Sequence, residues 1–498
     1  MSEATLKPAL ADSPWQRMRD ALPPRTVCGL AVLVSLLIPA LLLWFPMPMV
    51  IGGVVGLLIL TLVLACPYAG LIIFLGLLYL RPEEIFPKLA GARMTLVISL
   101  VTLFAWAVNA LLRRERSLLH LPVVRCFIGF VALAILSTAY NVPDLGTLSG
   151  IALDVIKLLI LFVLVVHLVN TLVRLRVALG ALLLLTAIMG ARTIWQYQNG
   201  EAAVMSDGDV RALGTGIFGD PNDLALAMAM ALPLALGFAF GKVRLWTRLW
   251  SLAAAPILVW TIYVTNSRGG MLALGASLFL FFGRRLGRVG AIVGVVVVLA
   301  LFAFGPSRLS QMSADEESAQ GRVVAWEAGM DMLKSNPVWG VGKDQFTEHH
   351  YLTAHNSLVL CLAELGLAGT ICWIGLFYFA FQGGQKVVAR QRSVAARQGR
   401  GGSPPAVGSA HPQAGTRSSQ ALLLQISLTA FLVGGFFLSR TYTTSLYVYL
   451  GLMVAAAQVE TEPSTSTMPT ASAGDWLKIV GITLAGLLLV MGLVRLWS

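Results

Sequence analysis

The chain has 498 residues, 57% hydrophobic and 12% charged, with a formal net charge of +12. So few charged side chains cannot cover a soluble domain, and the composition defines a polytopic membrane protein. Apolar runs of about 17–25 residues recur along nearly the whole chain and are continuous rather than alternating, which gives membrane-spanning helices and excludes a β-barrel.

Residues 1–26 are polar and basic and carry no cleavable secretory signal, so the first apolar run is expected to stay as an uncleaved span. In chain order the spans are expected at 27–45, 49–65, 68–80, 94–112, 123–140, 151–170, 177–195, 224–241, 250–265, 270–283, 289–305, 357–381, 421–438, 444–458 and 477–496. The expected fold is therefore an all-α polytopic membrane protein with roughly 14 helices, between about 12 and 15, crossing the bilayer. Basic loops fall on one side of this threading: Arg113-Arg114-Glu115-Arg116, Arg174 with Arg176, Lys242-Val243-Arg244, and Arg284-Arg285 with Arg288. The stretch 382–420, with six Lys or Arg and no acidic residue, joins them. That side is cytoplasmic by the positive-inside rule, which explains the net charge without nucleic acid. The 382–420 stretch is rich in Gly, Ser, Pro and Gln and is expected to be a disordered linker.

Three segments fall on the opposite face: 196–223, the turn at 266–270, and the loop 306–356. In the last, Val323, Trp326, Met330 and Leu333 recur at helical spacing, which predicts an amphipathic helix on the membrane surface, ended by "SNPVWGVG" at 335–342. Within 209–223, "DVRALGTGIFGDPND", Arg211 precedes a glycine-rich loop that can present backbone N–H groups to an anion, and Asn222 and Asp223 read as ordinary helix caps. In "TNSRGG" at 265–270, Arg268 stands on the side where basic residues are disfavoured, next to two glycines that let a ligand approach the backbone. Arginine suits bidentate phosphate binding, and boundary charges mark sites. In "AHNS" at 354–357 a histidine able to accept a hydroxyl proton stands at a helix mouth, where Asn356 or Ser357 would cap the helix. Glu364 lies about 13 Å further along that helix and is no direct partner.

Other polar groups point less clearly to chemistry. Glu348, His349, His350 and His355 match no zinc spacing, so no metal and no cofactor is assigned. The five cysteines, Cys28, Cys66, Cys126, Cys361 and Cys372, form no C-x-x-C pair. Asp154 and Lys157, one turn apart, are expected to neutralise each other. A transporter or flippase would need polar groups along a midplane pathway, and few occur.

Taken together, Arg211 with the glycine loop and "GDPND", then "NSRGG", then "GRVVAWEAGMDMLKSNPVWGVGKDQF" and "AHNSLVLCLAELGLAG" resemble the O-antigen ligase and polymerase superfamily over about 205–380. The upstream "YLRPEEIFPKLAGARMTLVISL", 79–100, resembles exosortase-associated O-glycosylation ligases. The resemblance implies a glycosyltransferase-C-like, multi-span enzyme of the bacterial inner membrane with its site on the periplasmic face. Its donor would be an undecaprenyl-diphosphate-linked glycan, and its acceptor a protein, the lipid A core or another glycan, so ligase and polymerase activities both fit. By the resemblance Arg211 and Arg268 grip the diphosphate, His355 acts at the acceptor hydroxyl, and Arg322 and Trp326 shape the loop over the site. Asn356 and Asn222, beside these residues in the sequence, are candidates for further support. Arg440, in the outer turn "SRTYTT", joins them as a phosphate-binding candidate by position. The expected organisation is a cytoplasmic segment 1–26, membrane helices 27–195, a ligase-like region 196–381, the linker 382–420 and membrane helices 421–498.

Overall fold

A computed structural model describes residues 46–86, 91, 93–113, 118–201, 203–204, 210–303, 317–398, 419–460 and 471–497. The chain divides into two units, Met1–Cys66 and Pro67–Ser498. In the first, α1 (Met47–Ala65) is an apolar helix entered through Pro46; the span expected at 27–45 lies outside the described residues.

The second unit is helical, apart from one two-residue strand pair among the described residues. Its elements are α2 (Pro67–Leu80), the short α3 (Pro82–Ile85), α4 (Met94–Arg113), α5 (Pro122–Asn141), α6 (Leu145–Leu168), α7 (Leu172–Gln198), β1 (Ala203–Val204), β2 (Val210–Arg211), α8 (Pro221–Ala239), α9 (Leu245–Val264), α10 (Arg268–Ala303), α11 (Glu317–Ser335), α12 (Phe346–His349), α13 (Ser357–Gln398), α14 (Gln420–Gly435), α15 (Thr444–Val459) and α16 (Ala473–Trp497). Among the described residues eight helices, α4 to α9, α13 and α16, are long and apolar enough to cross a membrane. The protein is an all-α polytopic membrane protein, as its composition requires.

Side-chain caps set several starts. Asp144 accepts from Thr147 N at 2.6 Å, and Thr171 from Arg174 N at 3.2 Å. At α8 the cap is Asp220, whose carboxylate accepts from the backbone N–H of Asn222 at 2.7 Å and of Asp223 at 3.4 Å, with Pro221 at the first helical position. The capping role expected of Asn222 and Asp223 therefore belongs to Asp220. The sequence of α8, dense in Ala and Met, is buried almost throughout, against α7, α9, α10 and α14. Small residues allow that closeness: a Cβ at Gly270 of α10 would stand 2.4 Å from that of Ala225.

Glycines break two long helices. α10 breaks at Gly287 (φ 62°, ψ −137°), where the sequence placed a cytoplasmic turn. α13 breaks at Gly366 (φ 63°, ψ −165°), and the freed carbonyls receive the "NPVWGVG" loop. Val341 N donates to Ala363 O and Gly342 N to Glu364 O, both at 2.9 Å, and Leu367 N donates to Pro337 O at 2.9 Å. From α5, Ser137 Oγ donates to Glu364 O at 2.9 Å and Asn141 Nδ2 to Gly340 O at 3.0 Å. These bonds satisfy the irregular backbone on both sides of the break, although Val338 and Trp339 at the tip of the loop are exposed.

Two expectations change. α11 is a helix over the expected stretch, but its apolar face does not meet lipid: Trp326, Met330 and Leu333 are buried in one cluster with Phe346, Val359 and Ala363. Gly329 lets α11 come close to α13, since a Cβ there would lie 2.6 Å from Val359 Cγ1. α13 runs on to Gln398, so the start of the expected disordered linker is helical, its Lys, Val, Ala, Arg and Gln residues continuing the turn; 399–418 lie outside the described residues. The Asp154–Lys157 pair forms, Nζ to Oδ1 3.0 Å, with both side chains largely exposed on α6.

Candidate active site

Four turns and one helix meet at the end of the bundle where α8, α10 and α13 begin. The first turn, 210–220, leaves β2, in which Arg211 pairs with Ala203, and its next residue, Ala212, donates to Val264 O at 3.0 Å. That bond joins the Arg211 segment to the second turn, 265–267. There Asn266 takes a left-handed φ of 53°, and Ser267 Oγ donates to Asn222 Oδ1 at 2.7 Å while accepting from Gly270 N at 3.2 Å. Arg268 opens α10 directly after it. Gly269 packs under the fourth turn, 436–443, where a Cβ would lie 3.2 Å from Leu438 Cγ.

The third turn holds His355. Its φ of 49° is left-handed, a conformation sparsely used by non-glycine residues and concentrated at functional sites. Asn356, fully buried, caps α13: Oδ1 accepts from Leu358 N at 2.9 Å and Val359 N at 3.1 Å. Its Nδ2 has no hydrogen-bond partner among the described residues. Ser357 bolts this turn to the fourth. Its hydroxyl donates to Leu438 O at 2.6 Å and accepts from Arg440 N at 2.9 Å, while Thr441 Oγ1 donates to Ser357 O at 2.7 Å and Thr353 Oγ1 to Ser439 Oγ at 2.9 Å. The helix-cap expectation thus holds for Asn356, and Ser357 has a different job.

Arg440 closes the ring. Its Nη2 lies 2.9 Å from Asp220 Oδ2 and its Nε 2.5 Å from Asp223 Oδ1. The guanidinium is held by two carboxylates at the head of α8, so its first task is to tie the fourth turn to the first. Its partners were not legible in the sequence, where Asp220 and Asp223 read only as capping chemistry.

The fifth component is α11. Trp326 is buried, with its ring 5.6 Å from that of Phe436 in an edge-on contact, and Arg322 stands one turn before it. Arg322 and Arg440 both act on His355: burial first, then these two positive charges, hold its imidazole below the ordinary value of 6.5, against the opposing pull of Asp220. The imidazole is neutral near pH 7 and able to take a proton. Of the other possible metal ligands, His349 Nδ1 faces Gln345 O at 2.9 Å and His350 Nδ1 faces Leu352 O at 3.1 Å.

The site residues read from the sequence, Arg211, Asn222, Arg268, Arg322, Trp326, His355, Asn356 and Arg440, thus lie on segments gathered at one end of the bundle. The basic residues Arg174 and Arg285 stand at opposite helix ends, against the rings of Tyr68 and Phe240. The anion-receiving role expected of the glycine loop meets a correction at one N–H: Gly216 N donates to the carboxylate of Glu84 at 2.8 Å.

A polytopic helical membrane protein with neutral histidine and arginines at one mouth is the class that fold and site define. Residues 252–374 match the family model described as O-antigen ligase, which places this segment in the O-antigen ligase superfamily and bears out the resemblance there. Arg268, Arg322, Trp326, His355 and Asn356 fall inside the matched stretch; Arg211, Asn222 and Arg440 fall outside it. No curated protein and no solved structure matches the chain.

Proposed function

We propose that the protein is a glycosyltransferase that moves a glycan from an undecaprenyl-diphosphate carrier to an acceptor hydroxyl at the periplasmic face of the bacterial inner membrane. It acts as an O-antigen ligase or O-glycosylation ligase. The observation that carries this is the place of His355: a partly buried imidazole on a left-handed residue at the mouth of α13, its pKa lowered by burial first and then by Arg322 and Arg440, where a lipid-held diphosphate would lie.

In this reading the acceptor oxygen attacks the anomeric carbon, its proton passes to His355, and the bond from that carbon to the diphosphate breaks. Negative charge grows on the leaving oxygens, and Arg211 and Arg268 meet it. The fully buried Asn356, with its cap made through Oδ1, leaves Nδ2 to orient a substrate oxygen beside the histidine. Arginine can supply the charge stabilisation on its own, and in this reading the reaction uses no metal. The acceptor is a protein hydroxyl, the lipid A core or a glycan end.

Purified protein is incubated with a polyprenyl-diphosphate-linked glycan and candidate acceptors, and the new glycosidic bond is read by mass spectrometry. His355→Ala is expected to lose about 10²–10⁴ in rate, the usual contribution of a positioned base. Undiminished transfer by this variant removes the base. Undiminished transfer by both Arg211→Ala and Arg268→Ala removes the phosphate grip.

A further inference from the structure

The stretch "YLRPEEIF", 79–86, lies outside the matched segment and has no part in the chemistry above, yet it is built onto the glycine loop that follows Arg211. The carboxylate of Glu84 has two partners. Oε1 pairs with Arg81 Nη1 at 2.8 Å, and Oε2 accepts from Gly216 N at 2.8 Å, across 132 positions of sequence. Arg81 adopts a left-handed φ of 41° immediately before Pro82, where extended backbone is the norm. Its side chain lies over Gly216, itself at φ 58°, so closely that a Cβ there would stand 2.6 Å from Arg81 Cδ. Tyr79, buried at the end of α2, meets Phe218 of the loop edge-on at 5.0 Å.

The loop is therefore gripped from outside at Gly216 and Phe218. From inside it is stitched by Ala212 N to Val264 O at 3.0 Å and by Gly214 N to Phe218 O at 2.9 Å. Arg211 is the residue directly before the stitched segment. The side chains of Arg81 and Glu84 are 36% and 37% exposed, and an ion pair so open to solvent adds little to folding. Its effect falls on the shape of the loop.

We propose that Glu84 and Arg81 are a positioning pair for donor binding: they fix the glycine loop and thereby set where Arg211 meets the diphosphate. This rests on the reading of Arg211 as a diphosphate-binding residue. The pair touches no substrate; it acts through the loop, and the Gly216 N–H is used by the protein itself.

The test is a double-mutant cycle on the full-length protein, reading equilibrium affinity for a polyprenyl-diphosphate-linked disaccharide. Glu84→Ala is expected to weaken donor binding about tenfold, and Glu84→Gln, whose amide oxygen still accepts from Gly216, to recover most of it. In an Arg211→Ala background Glu84→Ala is expected to add nothing, because its effect runs through that arginine. Gly216→Ala, which drives Arg81 off the loop, is expected to follow the same pattern and serves if Glu84→Ala is poorly folded. An equal loss from Glu84→Ala and Gly216→Ala with and without Arg211, or no loss at all, overturns the positioning role while leaving Arg211 in place. Full affinity in Arg211→Ala alone overturns the underlying reading instead.

Discussion

Ser267 donates its hydroxyl hydrogen to Oδ1 of Asn222 at 2.7 Å, and through this bond the turn that presents Arg268 is fastened to the first turn of α8. The same hydroxyl accepts from Gly270 N at 3.2 Å, so one side chain, 1% exposed, fixes both the entry and the first turn of α10. Ser267→Ala leaves a half-buried acceptor, Asn222 Oδ1, and a buried donor, Gly270 N, short of a partner, at about 1–3 kcal/mol in all. The expected outcome is a lower melting temperature in detergent together with weaker donor binding. Unchanged melting and binding would show that the two turns are held by packing alone.

The protonation of His355 gives a second expectation, with its sign fixed by its surroundings. Burial, Arg322 and Arg440 lower its pKa and Asp220 opposes them. The base works unprotonated, so activity is present above that lowered pKa and is lost as pH falls through it. The wild-type acid limb of the rate profile therefore lies below 6.5, the ordinary value. Arg322→Ala removes one positive charge and is expected to move the limb up; Asp220→Asn removes a negative one and is expected to move it down. Limbs that stay in place in both variants would detach the titration from His355.

Gly366 supplies a third. Its φ of 63° with ψ of −165° belongs to a region used by almost no residue but glycine, and a Cβ there would lie 2.4 Å from Val338 O. Backbone strain alone costs about 1–3 kcal/mol, and the overlap adds to it. Gly366→Ala is expected to abolish monodisperse protein in size-exclusion chromatography of detergent extracts. Gly481→Ala, at a position on α16 with nothing within 4 Å of a Cβ, is the matched control and is expected to behave as wild type.

Much of this structure was legible in the sequence because it follows from local pattern. The starts of α2, α4 and α15 fall within a residue of the apolar runs, and the helical spacing of Trp326, Met330 and Leu333 gives α11. What escaped depends on partners far along the chain. The "NPVWGVG" loop reads as a turn, but nothing local says that its N–H groups go to carbonyls freed by a break in α13. The apolar stripe of α11 fits a lipid surface as well as a protein one, and only packing against Val359 and Ala363 decides between them. Asp220, Asn222 and Asp223 are all competent caps; Asp220 caps because Pro221 takes the first helical position and leaves the other two inside the helix, where they meet Ser267 and Arg440. Glu84 is an unremarkable acid until Gly216 is placed beside it.

Arg440 gives the last expectation, because its two carboxylate partners separate a structural role from a phosphate-binding one. Its side chain is 23% exposed and that of Asp223 17%, so the pair is screened less than a surface bridge. Removing the guanidinium leaves Asp220 and Asp223 close together at the head of α8, their charge offset by the helix dipole and the capping N–H groups but no longer by Arg440. Arg440→Ala is expected to lower stability by about 2 kcal/mol, and Arg440→Lys to recover part of it, since an ammonium cannot match both carboxylates with a planar fork. Adding Asp223→Asn to Arg440→Ala removes the repulsion and is expected to restore much of the melting temperature. If transfer returns along with stability, Arg440 serves to hold the fourth turn against α8. If the double variant melts like wild type yet still fails to bind a polyprenyl-diphosphate glycan, the guanidinium also contacts the donor, and the ion pairs with Asp220 and Asp223 are what keep it in place for that contact.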